Sequence, residues 1–144
     1  MDNMGNPTAK ELEEHITELC RKHRVYLKVD PDMKPDNAVA GRWHNGVRWI
    51  RVPPILGEEG YIIAMHELGH HVSPHGSLHV RMSDSMRLFK QPSCARDVRL
   101  GLEQEIAAWN WARRNAKVWT PTSARIRSIG FGTYKMWAKQ FGVK

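Results

Sequence analysis

Two histidines and a glutamate near the middle of the chain have the residue types and spacing of a catalytic metal site. The run His66-Glu67-Leu68-Gly69-His70 fits the pattern HExxH. Helical residues four apart project from the same side, so His66 and His70 can bind one metal ion together. Glu67 lies beside them and is placed to act as a general base on water. The spacing therefore indicates metal-assisted hydrolysis, with zinc as the metal.

The residues that lead into the motif indicate a buried helix. Residues 61–65 are apolar on more than one helical face and run directly into His66. Buried imidazoles and carboxylates need partners, and a metal ion supplies them. Gly69 costs about 1 kcal/mol inside a helix compared with alanine, so we expect it to allow close approach of another backbone or of a substrate. The alternative is a surface helix rich in His and Glu that binds no metal.

A catalytic zinc site usually has a third protein ligand, and a later helix offers two candidates. Periodicity over residues 100–112 places Glu105 on an otherwise apolar stripe with Leu102, Ile106 and Trp109. A carboxylate on such a stripe needs a partner, so Glu105 is the preferred metal ligand. Glu103 projects from a more polar side and is the alternative ligand. A buried Glu105 paired with an arginine is the non-catalytic interpretation.

The segment after the HExxH motif contributes further candidates. The pattern HExxHxxGxxH would need Gly at 73 and His at 76, but the chain has Ser73 and Gly76. His75 and His79 are therefore interpreted as loop residues rather than metal ligands. Acyl hydrolysis also needs a hydrogen-bond donor for the oxyanion. The sequence leaves five candidates for that donor open: His71, His75, His79, Arg81 and Tyr134.

The composition indicates a single domain with an excess of positive charge. The 144 residues are expected to form one domain, with residues 1–7 frayed and residues 120–144 as a basic helical extension. Without a recognisable secretory signal or transmembrane span, we expect a cytoplasmic location, no membrane association, and reduced thiols at Cys20 and Cys94. The formal net charge is +7. Its basic residues form either a solvated surface or one that attracts an acidic partner or nucleic acid.

The first half of the chain is predicted to hold one helix and three strands. Thr8 and Glu11 form a capping box for a helix that ends near residue 24. Residues 25–29 predict a strand, and residues 38–52 predict a hairpin that turns at Asn45-Gly46. We expect the second hairpin strand, 47–52, to lie along the substrate cleft and to pair with an extended peptide.

The second half is predicted to be helical. Glu58 and Glu59 favour the start of the helix that carries the HExxH motif. A variable segment from residue 73 to about 93 precedes a second helix at about 95–118. Thr120 and Pro121 predict a further helix start, followed by two short helices broken around residues 130–132. The predicted fold class is α+β, with a small antiparallel or mixed sheet packed on the HExxH helix and the Glu-bearing helix.

This order of elements resembles a minimal zincin-type HExxH metallopeptidase, and more narrowly the ImmA/IrrE family of small metallopeptidases. The strand at 47–52, the HELGH run and the run from Glu103 to Ala112 carry the resemblance. Ala107 stands where the family often has a second Glu, and Trp109 where it often has Asn, so the choice of metal-binding Glu stays open. The resemblance implies narrow intracellular cleavage of a protein substrate, often a transcriptional repressor. Such members are commonly encoded on mobile elements.

Two hypotheses about function follow. The first is a zinc-dependent endopeptidase with one Zn²⁺ per chain, bound by His66, His70 and Glu105, and with Glu67 as the general base. The second is a non-peptidase protein of the same scaffold that binds nucleic acid or a regulatory protein through its basic C-terminal region. Glu67 favours the enzyme, because a binding scaffold has no need of a general base. Four tryptophans lie among the basic residues of that region, although such spacing is more typical of a core: Trp109, Trp111, Trp119 and Trp137.

Overall fold

The computed structural model describes residues 6–73 and 92–143, which form an α+β architecture as predicted. Of the variable segment, the structure describes only the two ends. His75, His79 and Arg81 therefore lie outside the described residues. The helices are α1 Ala9–His23, α2 Glu58–Val72, α3 Ala95–Asn115 and α4 Pro121–Phe141. The strands are β1 Val25–Val29, β2 Val39–Arg42 and β3 Arg48–Val52, and a short 3-10 helix spans Pro35–Asn37.

The three strands form a mixed sheet in the order β1-β3-β2. β1 is parallel to β3, and β2 is antiparallel to it, which confirms the predicted hairpin. Gly46 allows the turn, because its φ of +88° is a conformation that side chains rarely adopt. β3 is the central strand and is paired on both sides. The prediction that residues 47–52 pair with an extended peptide is therefore wrong, and among the described residues the open edge of the hairpin belongs to β2.

The core lies between one face of the sheet and the helices. Strand alternation sends Ile50 and Val52 into the core, where both are fully buried. The buried face of α1 contributes Leu12, Ile16 and Cys20, and its predicted Thr8 capping box is present. α2 contacts α1, α3, α4 and the sheet, so it is the central helix. No helix in the described part of the chain is long and apolar enough to cross a membrane.

Arg48 and His71 attach β3 to the ends of two helices. Arg48 donates hydrogen bonds to the carbonyl oxygens of His71 and His23, at 3.0 Å and 2.5 Å. Both carbonyls lie in last helical turns, where backbone acceptors lack helical partners and a guanidinium suits the helix dipole. His71 Nε2 donates to the carbonyl oxygen of Trp49 at 2.9 Å. Burial, aided by the nearby charge of Arg48, lowers the pKa of His71 to about 4, so this ring is neutral at pH 7.

The C-terminal region is one helix rather than two. α4 is continuous from Pro121–Phe141, so the predicted break at residues 130–132 is wrong, and α3 ends at Asn115 rather than near 118. A β-carbon at Gly130 would lie 3.2 Å from the Trp109 ring. Packing against α3 therefore compensates for the low helix propensity of glycine. Thr120 is the N-cap and Pro121 lies in the first turn, as predicted.

Glu58 connects the start of α2 to the start of α4. Its carboxylate accepts hydrogen bonds from the Thr120 hydroxyl and from the backbone N and the hydroxyl of Ser123, the last two at 3.1 Å and 2.5 Å. Burial raises the pKa of Glu58, but the hydrogen bonds from Ser123 and Thr120 outweigh burial and lower it below the ordinary value of 4.5. The carboxylate thus caps the N-terminus of α4 from outside the helix.

We expect Glu58→Gln to lower the free energy of unfolding by roughly 1–2 kcal/mol at pH 7, because charge-assisted hydrogen bonds are lost. The folded-state pKa of Glu58 is lowered, so its contribution is complete above about pH 4.5 and declines as the pH falls through the folded pKa. Urea unfolding at pH 7 and pH 3 measures the difference. Glu59→Gln, an exposed neighbour, is the control and should change little. A Glu58→Gln penalty that is equal at both pH values would contradict the assignment.

Candidate metal centre

His66, His70 and Glu105 meet between α2 and α3. His66 Nε2 lies 3.1 Å from Oε1 of Glu105, and His70 Nε2 lies 2.6 Å from Oε2. A single carboxylate therefore faces both Nε2 atoms. His70 and Glu105 are 6% and 5% exposed, so the group is closed off from bulk water on most sides. Two imidazoles and a carboxylate that converge from two helices have the composition of a three-ligand metal site.

Glu67 lies on the other side of the His66 ring. Its Oε2 is 3.1 Å from His66 Nδ1, and the ligand atoms of His66, Glu67 and His70 all lie within 4.8 Å of one another. The Glu67 side chain is buried as well. Glu105 thus faces the Nε2 atoms of both histidines, while Glu67 faces Nδ1 of His66.

The two buried carboxylates attract positive charge to this point. Burial lowers the pKa of His66, but the charges of Glu105 and Glu67 outweigh it and raise the pKa to about 10. Burial raises the pKa of Glu105, but His66 and His70 hold it well below its usual range. A proton on His66 balances the carboxylates in the protein alone, and a divalent cation can take its place. The donor set and its charge therefore fit zinc.

Gly69 sets the distance between α2 and α3. A β-carbon there would lie 2.5 Å from the carbonyl oxygen of Ala108 and 3.1 Å from its Cα. The predicted close approach of another backbone at Gly69 is confirmed. Glu105 lies about one turn before Ala108, and His66 about one turn before Gly69. The contact between the two backbones therefore brings the carboxylate to the imidazoles.

Helix periodicity separates the two acidic candidates on α3. Glu105 is buried and Glu103 is exposed, as predicted, but Ile106 of the predicted apolar stripe is exposed. Trp109, one turn after Glu105, stacks on His66 with ring centroids 4.1 Å apart and planes 10° apart. The sequence placed Trp109 in the core but did not reveal this contact. Trp109 follows Glu105 by four residues, so both lie on the same face of α3, and this spacing could have predicted that Trp109 lies beside the site.

Tyr134 is the candidate oxyanion donor that the structure brings toward the site. It is buried on α4, with its ring 5.3 Å from that of Trp137. Burial and then the charges of Glu105 and Glu67 raise its pKa far above the ordinary value, so the phenol stays protonated. His71 instead donates its Nε2 proton to the sheet. The other candidates, His75, His79 and Arg81, lie outside the described residues.

Comparisons with known proteins provide no family assignment. No family model, no curated protein and no solved structure matches the chain. The functional interpretation therefore rests on the geometry of the site and on the sequence.

We expect Gly69→Ala to lower the free energy of unfolding by roughly 1–3 kcal/mol, because the new methyl group meets backbone atoms that cannot move aside. This figure is a net loss, after the gain of about 1 kcal/mol that alanine has over glycine in helix propensity. Gly132→Ala on α4 is the matched control, since nothing lies within 4 Å of its added β-carbon. It should stabilise the protein by about 0.5–1 kcal/mol. Urea unfolding compares the two, and equal stabilisation by both would contradict the helix contact.

Proposed function

We propose that this chain is a zinc-dependent endopeptidase of the zincin type, similar to the ImmA/IrrE family, which cleaves a specific intracellular protein. The observation that carries the proposal is the convergence of Glu105 on the Nε2 atoms of both HExxH histidines, at 3.1 Å and 2.6 Å. Glu67 beside this group adds a base to the ligands. A transcriptional repressor as substrate, a cytoplasmic location and an origin on a mobile element follow from the resemblance alone.

His66, His70 and Glu105 would hold one zinc ion through two Nε2 atoms and the carboxylate. Bound zinc supplies a Lewis acid that polarises the scissile carbonyl and makes water more acidic. Two contacts within the protein would hold these residues in place for a metal ion. Trp109 stacks on the His66 ring, and the contact at Gly69 holds α3 against α2. Such support reduces the reorganisation that binding requires.

Glu67 and Tyr134 would handle protons around the scissile bond. The Glu67 carboxylate would accept a proton from the attacking water and deliver it to the leaving amine. Its contact with His66 Nδ1 keeps it within the site. The Tyr134 phenol, whose pKa burial and the two carboxylates raise still further above neutral pH, would donate a hydrogen bond to the oxyanion.

A peptide substrate would pair with β2 rather than with β3. In the described residues β2 is an edge strand, and it contacts α2, the helix that carries the HExxH motif. The unpaired N–H and C=O groups of an edge strand can accept an extended chain. This placement would bring the scissile bond from the sheet edge toward α2.

The basic C-terminal region gives less support to the alternative, a binding protein without peptidase activity. Trp109 and Trp111 are buried in the core, so neither can stack on a base. Trp119 has the guanidinium groups of Arg113 and Arg127 over its ring, at 5.9 Å and 5.8 Å from the centroid. Three of the four tryptophans of this region are therefore already engaged in contacts within the protein.

We expect the metal-replete protein to bind about one zinc per chain. Glu105→Ala should weaken zinc binding by more than the roughly 10–100-fold that loss of an outer hydrogen-bond partner causes, because a ligand is removed. Glu103→Ala, from the exposed side of α3, is the control and should bind zinc as the wild type does. Elemental analysis and competition with a chromophoric chelator measure both. Absence of zinc from the wild type, or a larger effect at Glu103, would refute the ligand set.

We expect Glu67→Gln to retain zinc and to lower the cleavage rate by about 10²–10⁴-fold, because a general base is lost without loss of a ligand. Profiling of new protein N-termini, after incubation of a proteome with wild type and variant, identifies the cleavage. Tyr134→Phe should also keep zinc, and it should slow the same cleavages through loss of the phenol donor. Cleavage at the normal rate by Glu67→Gln would sink the mechanism.

A further inference from the structure

The face of the sheet opposite the core carries an aromatic cluster. Tyr26 of β1, Trp49 of β3 and Trp43, just after β2, form it. Ring centroids are 5.7 Å apart for Tyr26 and Trp43, and 6.4 Å apart for Trp43 and Trp49. Tyr26 is 54% exposed and Trp43 is 46% exposed. Adjacent large rings that remain half in water are typical of a binding surface rather than of a core.

The backbone of the sheet is shaped to present these rings. Trp49 of β3 has Tyr26 of β1 as its register partner on one side and Gly41 of β2 on the other. A β-carbon at Gly41 would lie 2.3 Å from the Trp49 ring, so the indole occupies the space that a side chain on β2 would need. The outward face of the three strands therefore presents the rings of Tyr26, Trp43 and Trp49, and we call this face the aromatic platform.

Two cations border the aromatic platform. Lys28 and Arg51 are register partners in β1 and β3, two residues from Tyr26 and Trp49. With the three rings they line a shallow groove of about 340 Å³. Asp30 is the acidic group here, and it pairs with Arg51 at 2.5 Å. Lys28 forms no ion pair within the described part of the chain. The groove is therefore positively charged on balance, in a chain of net charge +7.

We propose that the aromatic platform binds single-stranded nucleic acid. Every base has a flat π face that can stack on Tyr26 or Trp43, and the adjoining phosphates carry the negative charge that Lys28 and Arg51 attract. Across the strands Tyr26 pairs with Trp49, and Lys28 pairs with Arg51. A row of rings therefore lies beside a row of cations, as the bases of a single strand lie beside its phosphate backbone. The platform faces away from α2, so binding there is independent of the metal centre and of its proposed activity.

Charge separates this occupant from two others. A proline-rich peptide also binds aromatic-lined grooves, but it brings no negative charge to Lys28, which has no ion pair among the described residues. A second copy of the chain would bring Lys28 and Arg51 of both platforms together, in two molecules of net charge +7 each. A polyanion with flat rings matches both the charge and the shape of the groove.

Fluorescence anisotropy with the full chain and labelled oligo-dT and oligo-U of about 15 nucleotides, at low salt, tests the proposal. We expect both probes to bind. Trp43→Ala and Tyr26→Ala should each weaken binding by roughly 5–100-fold, since each removes a stacking partner. Lys28→Ala should reduce the slope of log affinity against log salt by about 0.7, the value for one phosphate contact. Circular dichroism confirms that each variant is folded.

Matched controls come from the helices. Met136→Ala removes a similarly exposed apolar side chain, 58% exposed, and Lys22→Ala removes an exposed lysine. Both should bind the oligonucleotides as the wild type does. Charge reversal of Arg113, Arg114 and Lys117 should weaken binding less than Trp43→Ala, because these residues act only through long-range attraction.

Several results would overturn the proposal. One is the absence of binding by the wild type at low salt, and another is wild-type affinity in both aromatic variants. A loss of binding confined to the charge-reversed C-terminal variant would move the site to that region. Binding of a polyproline peptide in place of the oligonucleotides would identify a different occupant. So would a dimer, seen by sedimentation, that Trp43→Ala dissociates.

Discussion

The backbone contact between Gly69 of α2 and Ala108 of α3 is the constraint on which the candidate metal centre depends. Metal ligands on two helices can meet only if the helix axes come close, and a single β-carbon at residue 69 would meet the Ala108 carbonyl oxygen at 2.5 Å. With the helices in contact, Glu105 faces the Nε2 atoms of His66 and His70 at hydrogen-bonding distance. A site that requires placement within about 0.5 Å is sensitive to such a contact.

Contacts at both ends of α2 fix its position in the rest of the protein. Near the start, the hydroxyl of buried Tyr61 accepts a hydrogen bond from Lys117 N at 2.8 Å and lies 2.7 Å from His15 Nδ1. Burial raises the pKa of Tyr61 to about 12, so the hydroxyl stays protonated. At the other end, His71 and Arg48 join α2 to the central strand. The helix that carries the HExxH motif is thus also the helix that the other elements share.

The buried charges around His66 affect both the proposed metal binding and the stability of the fold. Glu67 and Glu105 are both buried beside His66, and their charges raise its pKa to about 10. A buried ionic group gains from its Coulomb attraction only part of what desolvation costs. A cation bound to the native state alone would add to stability by mass action. On the far face of the sheet, by contrast, the cations that border the aromatic platform, Lys28 and Arg51, remain exposed to water.

Signals between residues a few positions apart were readable from the sequence. The HExxH spacing, the burial of Glu105 and the turn at Gly46 follow from helix and turn geometry alone. In the structure Glu105 is buried, and Gly46 has the positive φ that the turn requires. The central position of β3, the continuity of α4 through Gly130 and the stacking of Trp109 on His66 were decided by the tertiary structure. The physical reason is that strand order and helix continuity depend on packing between distant segments, which outweighs local propensities of about 1 kcal/mol.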